Sequence, residues 1–210
     1  MEVISHRNSD YHLKVENGAH IYSQLICKFF VPNIITKRNW VTINCGKCLD
    51  NSIVFIHSNI NTLKRYDFLK NYKNLILVCS QPSTCRIVKD LGKVIYLPLS
   101  VDTAYIKQFT CLNKDRECCY AGRRGKTNSA ELKRFNIDFL QDLTHEELLY
   151  RMAKYRYVYA VGLTAIEAKV LGCNVLPYDT RFPSPTVWKI RDIRDMIPVL
   201  QTMLDAIDMV

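Results

Sequence analysis

Two short stretches hold residues whose types and spacing suit phosphate and diol chemistry. In "YAVGLTAIEAKVLGCNVLPYD", Tyr159 to Asp179, an apolar run stops at Gly162. A helix pattern then starts at Thr164, carries Glu167 and ends at Gly172, before a second apolar run. Glycine lets backbone approach a ligand closely, and the N–H groups of Leu163 and Thr164 at a helix start carry partial positive charge that suits a phosphate. Thr164 can cap the helix or donate its hydroxyl. Glu167, three residues on, shares a helix face with Thr164. Its carboxylate can accept two hydroxyl hydrogen bonds, as from a ribose 2′,3′-diol. The plainer alternative is that Glu167 only complements the helix N-terminus and that both glycines are ordinary turn residues.

The second stretch, "YAGRRGK" from Tyr120 to Lys126, is also a strand pattern running into a glycine turn at Gly122. Arg123, Arg124 and Lys126 follow, and guanidinium forks with a lysine point charge suit a pyrophosphate. A solvated basic loop is the alternative. Proton transfer would need a base, and histidine has the right range. His20 in "NGAH" and His57 at the end of "SIVFIHSN" are the candidates, with Asp10 and Asp50 behind them. Cys45 and Cys48 in "CGKC" have redox or zinc-knuckle spacing, but no second such pair exists to complete a metal site.

These residues need elements to position them. From Ser52 onward, short apolar runs alternate with helix patterns. "SIVFIHSN", "NLILVCS", "KVIYLPLS", "CCYAG", "IDFLQ", "YVYAVG" and "NVLPY" read as strands. "TLKRYDFLKNY", "PSTCRIVKDLG", "DTAYIKQF", "SAELKRF", "THEELLYRMAKYR" and "TAIEAKVLG" read as helices. Thr144 followed by Glu147 is a capping box. Before Ser52, "GAHIYSQLICKFF" fits a helix and "NWVTINC" a strand, and the tail from Thr186 fits one or two amphipathic helices. Such alternation predicts an α/β fold with parallel sheets covered on both faces. A proline and a polar stretch between residues 98 and 115 divide the chain into halves, 1–100 and 101–210.

The totals fit this picture. The chain has 210 residues, 48% of them hydrophobic, enough to bury a core. No apolar run reaches the length of a membrane span, and the polar N-terminus has no secretory h-region. Nine cysteines, an odd number without a compact framework, suit a reducing, cytoplasmic setting. The formal net charge of +9 favours a polyanionic partner: nucleic acid, an acidic membrane face or a phosphorylated substrate.

At these motifs the sequence resembles glycosyltransferases of the GT-B type, over residues 93–180. "VGLTAIEAKVLGCNVLPYD" looks like the family's donor-binding segment, and "CYAGRRGK" is similar to its "vGR…K" turn. "IYLPLSVDTAYIKQF" looks like the element that opens the second domain, and "ENGAHIYSQL" at 16–25 is similar to the glycine-rich first loop. The resemblance implies two Rossmann-like halves with parallel sheets facing across a cleft. The N-terminal half would take the acceptor and the C-terminal half a nucleotide-diphosphate sugar, a UDP-sugar foremost. It implies that Arg123 or Arg124 and Lys126 neutralise the diphosphate, that Gly162, Leu163 and Thr164 donate to it, and that Glu167 binds ribose. Arg124 and Lys126 would stabilise the leaving nucleotide without requiring a metal, and an inverting member would need a base near the acceptor, for which His20 comes first and His57 second. Two positions depart from the family pattern: Tyr159 stands eight residues before Glu167, where many retaining members carry a first glutamate, and Asn174 replaces a proline.

The function so implied is transfer of a sugar to an acceptor, with a modified base in DNA one candidate acceptor. The alternatives are an inactive GT-B-like module that binds nucleotide or nucleic acid, and a sugar-nucleotide epimerase.

Overall fold

Parallel strands organise the computed structural model, which describes residues 1–4, 18–42, 47–57, 63–122, 137–177 and 183–209. The described residues form two compact units. One comprises residues 1–4, Ala19–Pro98 and the segment from Ile193 onward; the other comprises Leu99–Asp192 with Gly18. The expected α/β class with parallel sheets is present in both. The tail, read from sequence as part of the second half, groups with the first unit.

In the first unit β1 (Val3–Ile4), β2 (Asn39–Val41), β3 (Ser52–Ile56), β4 (Ile76–Cys79) and β5 (Lys93–Tyr96) pair in that order, all parallel. Unbroken apolar runs make β3 and β4 buried along their whole length, as a parallel sheet covered on both faces requires. Alternate side chains serve opposite faces. Val54, Ile56, Leu77 and Cys79 pack with Tyr66, Leu69 and Val88. Phe55, on the other face, stacks on Phe30 at 5.7 Å and on Trp40 at 5.9 Å. Phe30 comes from α1 (Gly18–Leu25), which continues as a π-helical turn over Ile26–Phe30. α2 (Pro82–Val88) opens on proline, as its sequence predicts.

Leu63–Asn71 departs from expectation: it is a 3₁₀ helix rather than an α-helix. The sequence supplies the reason. Tyr66, Leu69 and Tyr72 recur every third residue, which lines them up at three residues per turn. Tyr66 and Leu69 are buried and Tyr72 packs against the same cluster.

A polar network holds the N-terminal edge of this sheet. The Arg38 guanidinium donates to Asn51 Oδ1 and to the Asn74 carbonyl, each at 3.0 Å, and to Asp208 Oδ1 at 2.6 Å. Asn51 and Asn74 precede β3 and β4, both with φ of 55°, a conformation that asparagine tolerates better than most residues. Asp208 belongs to the C-terminal helix, Met196–Asp208.

In the second unit α3 (Thr103–Lys107) is capped by Asp102, which accepts from the Tyr105 N–H at 3.1 Å, while the Thr103 hydroxyl donates to Asp192. Then follow β6 (Arg116–Ala121), β7 (Asp138–Leu140), α4 (His145–Met152), β8 (Tyr155–Tyr159), α5 (Leu163–Val170) and β9 (Asn174–Leu176). The sheet order is β7-β6-β8-β9, all parallel. The capping box at Thr144 and Glu147 is present in full. Both helix C-termini meet one cation: Lys114 Nζ donates to the carbonyls of Ala153 at 2.8 Å and Leu171 at 3.0 Å, where the helix dipole favours positive charge. The helix expected at "SAELKRF" lies outside the described residues.

Candidate functional site

The order β7-β6-β8-β9 contains one reversal. From β6 the chain goes to β7 on one side, and the later strands β8 and β9 lie on the other. The ends of β6 and β8 therefore flank a topological switch point, the place where open parallel sheets bind ligands at their carboxyl edge. Tyr120 of β6 lies opposite Tyr159 of β8. Gly122 and Gly162, the two glycines singled out from sequence, thus follow neighbouring strands at the same edge.

Different constraints demand the two glycines. A Cβ on Gly122 would stand 2.5 Å from the Tyr120 hydroxyl oxygen, so the turn closes tightly over its own strand. Gly162 has φ 65° and ψ −133°, a region open to glycine alone. Among the described residues no atom lies within 4 Å of where its Cβ would be. Among the described residues the space beside the Gly162 Cα is therefore open. Gly162 is itself the N-cap of α5, and no side chain caps that helix start. Thr164 is inside the first turn, which corrects its expected capping role. The N–H groups of Leu163 and Thr164 stand in the turn that leaves backbone donors unsatisfied.

At its far end α5 is locked in place. Gly172, φ 75°, closes it, with the Cys173 N–H bonded to the Ala168 carbonyl at 2.9 Å in a Schellman arrangement. Lys169 Nζ donates to the carbonyls of Pro185 at 2.6 Å and Trp188 at 2.7 Å. Burial holds its pKa below the ordinary lysine value.

Glu167 lies inside this arrangement rather than at its surface. It is 2% exposed, and its Oε1 meets His145 Nε2 at 2.8 Å. His145 is the first residue of α4, and its side chain is 15% exposed. Its ring lies 6.3 Å from that of Tyr105 in α3. Sequence reasoning missed His145. The one available signal was a histidine in a helix's first turn, where acidic residues are favoured.

The remaining candidates are placed as follows. Arg123, Arg124 and Lys126 lie outside the described residues, as do Asp10 and Cys45. His20 is in the first turn of α1, with its Nε2 2.9 Å from Gln24 Nε2. His57 ends β3, its Nδ1 3.5 Å from Ser80 Oγ at the end of β4, its ring 5.5 Å from Tyr22. Asp50 is at the opposite end of β3, where its Oδ1 accepts from the Lys73 N–H at 2.7 Å. It braces a turn there, before the amino end of β3. Cys48 is buried, and burial pushes its thiol pKa up. Tyr159 is raised by burial too, so this position offers a neutral phenol. Among the described residues no helix is long and apolar enough to cross a membrane.

Comparison of the chain with protein-family models, with curated proteins and with solved structures returns no match.

Proposed function

We propose that this chain is a glycosyltransferase of the GT-B type that takes its sugar from a nucleotide-diphosphate donor, a UDP-sugar foremost. One observation carries the reading: Gly122 and Gly162 follow neighbouring strands at the switch point of a parallel sheet, and Gly162 leads directly into α5. The donor diphosphate would lie against the N–H groups of Leu163 and Thr164. Arg123, Arg124 and Lys126, next in sequence after Gly122, would neutralise it and the charge that develops on the leaving nucleotide. No metal is needed for that role. His20 or His57 would serve as base on the acceptor side. The +9 charge makes DNA one acceptor to test.

Tyr159 favours a second reading, a module that binds nucleotide without turning it over. It puts a phenol where many retaining members of the resembling family carry a carboxylate.

Calorimetric titration with UDP, GDP, ADP and CMP and their sugar conjugates, followed by donor hydrolysis with and without duplex DNA, tests both. The transferase reading expects tight binding of one diphosphate, with turnover that an acceptor accelerates. Binding without hydrolysis supports the second reading. Absence of all nucleotide binding refutes the donor site itself.

A further inference from the structure

We propose that Cys79 and Cys85 form an oxidation site in the first unit, a dithiol that a peroxide closes to an intramolecular disulfide. The proposal does not depend on the donor reading.

The fold brings the two thiols together. Cys79 is the last residue of β4 and Cys85 stands in α2. α2 packs on β4, and Cys85 lies against the same core cluster that holds Cys79, Leu77 and Val88. The two thiols hydrogen-bond to each other. Cys79 Sγ has the Leu77 carbonyl as a further partner, at a long 3.9 Å. Backbone bonds hold both residues. The Leu97 N–H donates to the Cys79 carbonyl at 3.0 Å, and the Cys85 N–H donates to the Gln81 carbonyl at 3.2 Å. Sheet and helix thus keep the thiols as neighbours.

Burial divides their roles. Cys79 is 0% exposed, whereas Cys85 is half-buried. A peroxide meets the outer thiol, and the inner one is reached through it. Burial raises both thiols above their ordinary range, and for Cys85 the bond to Cys79 offsets part of the rise. The thiolate is the reactive form, so Cys85 reacts first, and slowly. Its sulfur attacks the peroxide: an S–O bond forms, the O–O bond breaks, and the leaving oxygen departs as water with the thiol's proton. The Cys79 sulfur then displaces the hydroxyl of this sulfenic acid. The S–S bond forms, the S–O bond breaks, and the Cys79 proton leaves with the hydroxyl as a second water. Two thiols are oxidised and one peroxide is reduced.

Other described cysteines are placed differently. Cys118 and Cys119 are adjacent on β6, where successive side chains face opposite sides of the sheet. Cys119 and Cys173 are both buried, and Cys173 Sγ accepts from Lys114 Nζ at 3.3 Å. Neither offers an outer thiol to an oxidant.

The tryptic peptide Asn74–Arg86 contains Cys79 and Cys85 and no other cysteine, so it reports the pair directly. The folded protein is treated with hydrogen peroxide, then unfolded, alkylated with iodoacetamide, digested and weighed by mass spectrometry. The peptide is expected to lose two hydrogens and to carry no label, and dithiothreitol should restore both labels. In Cys85→Ser, Cys79 should stay open to labelling at least about tenfold longer under the same peroxide, because its route to the oxidant is gone. In Cys79→Ser, Cys85 should stop at the sulfenic acid, which dimedone traps. A peptide that keeps both labels while Cys27, Cys111 and Cys118 are oxidised overturns the proposal. So does a peptide that gains oxygen instead of losing hydrogen, or loss of Cys79 at the wild-type rate in Cys85→Ser. The wild-type peptide decides alone if either variant does not fold.

Discussion

Gly162 illustrates how one residue joins backbone strain to a binding surface. Its φ and ψ of 65° and −133° are strained for residues with a Cβ, yet the space around that missing atom is empty among the described residues. Alanine would therefore not clash; it would strain the turn. Gly162→Ala is expected to lower unfolding stability by about 1–3 kcal/mol, the cost of a forced backbone conformation. It should also weaken nucleotide binding, because relaxing the strain redirects the N–H groups of Leu163 and Thr164. Urea unfolding and the nucleotide titration check the two effects separately. Stability lost with affinity intact would show that the turn is only structural. Gly162 and Glu167 were both legible in the sequence, because a strand, a glycine and a helix start fall within a few residues. His145 was not, since its partner is brought to it only by the packing of α4 on α5.

At the scale of elements, three strands of the second sheet are tied at the end remote from the candidate site. Arg116 at the start of β6 donates to Asp138 Oδ2 of β7 at 3.0 Å and to the Tyr155 hydroxyl of β8 at 3.1 Å, while that hydroxyl donates to Asp138 Oδ2 at 2.6 Å. Burial and then the Asp138 bond push Tyr155 up to about 12. The neutral phenol is thus the form that the fold prefers. A raised value means that this stabilisation is complete below the unfolded tyrosine range near pH 10. It is lost as pH climbs through about 12, because the unfolded chain then releases a proton that the folded one retains. Tyr155→Phe is expected to cost about 1 kcal/mol at neutral pH. The gap from wild type should shrink between about pH 10 and 12, read by denaturant unfolding at each pH. A gap that stays constant would mean that the hydroxyl bond does not matter. The strands and the Thr144 capping box were legible, since both depend on neighbours in sequence. The 3₁₀ segment was legible in principle, from an apolar residue at every third position. The Arg116, Asp138 and Tyr155 triad was not, because it depends on strand order.

Strand order is also what the sequence withholds at the scale of the whole molecule. Alternation of strands and helices announces parallel sheets, but β1-β2-β3-β4-β5 and β7-β6-β8-β9 read alike until the crossovers are known. The same holds for the tail. Its amphipathic pattern shows that it packs, but not on what. Polar contacts assign it to the first unit: Asp208 accepts from Arg38 at 2.6 Å, Gln201 accepts from the Ile35 N–H at 2.7 Å and donates to the Ile35 carbonyl at 3.2 Å, and Lys93 Nζ donates to the Ile207 carbonyl at 3.0 Å. Within the helix Leu200 and Leu204 are buried. Removing Met196 onward re-exposes what those two leucines cover, worth about 1.5–3 kcal/mol for each side chain, and leaves the nearly buried Arg38 without its acid. Set against a typical total of about 5–15 kcal/mol, that loss is enough to loosen the first sheet. The second unit has its own core around Tyr120, Val158 and Ile166, and its sheet takes no strand from the tail. Hydrogen exchange on the protein truncated after Asp195 should therefore show protection falling across Trp40–Val41 and Ile53–Ile56 while Cys119–Ala121 and Tyr157–Tyr159 keep theirs. Equal loss in both sheets would show that the two cores unfold as one, and that the tail stabilises the molecule rather than the unit it packs on.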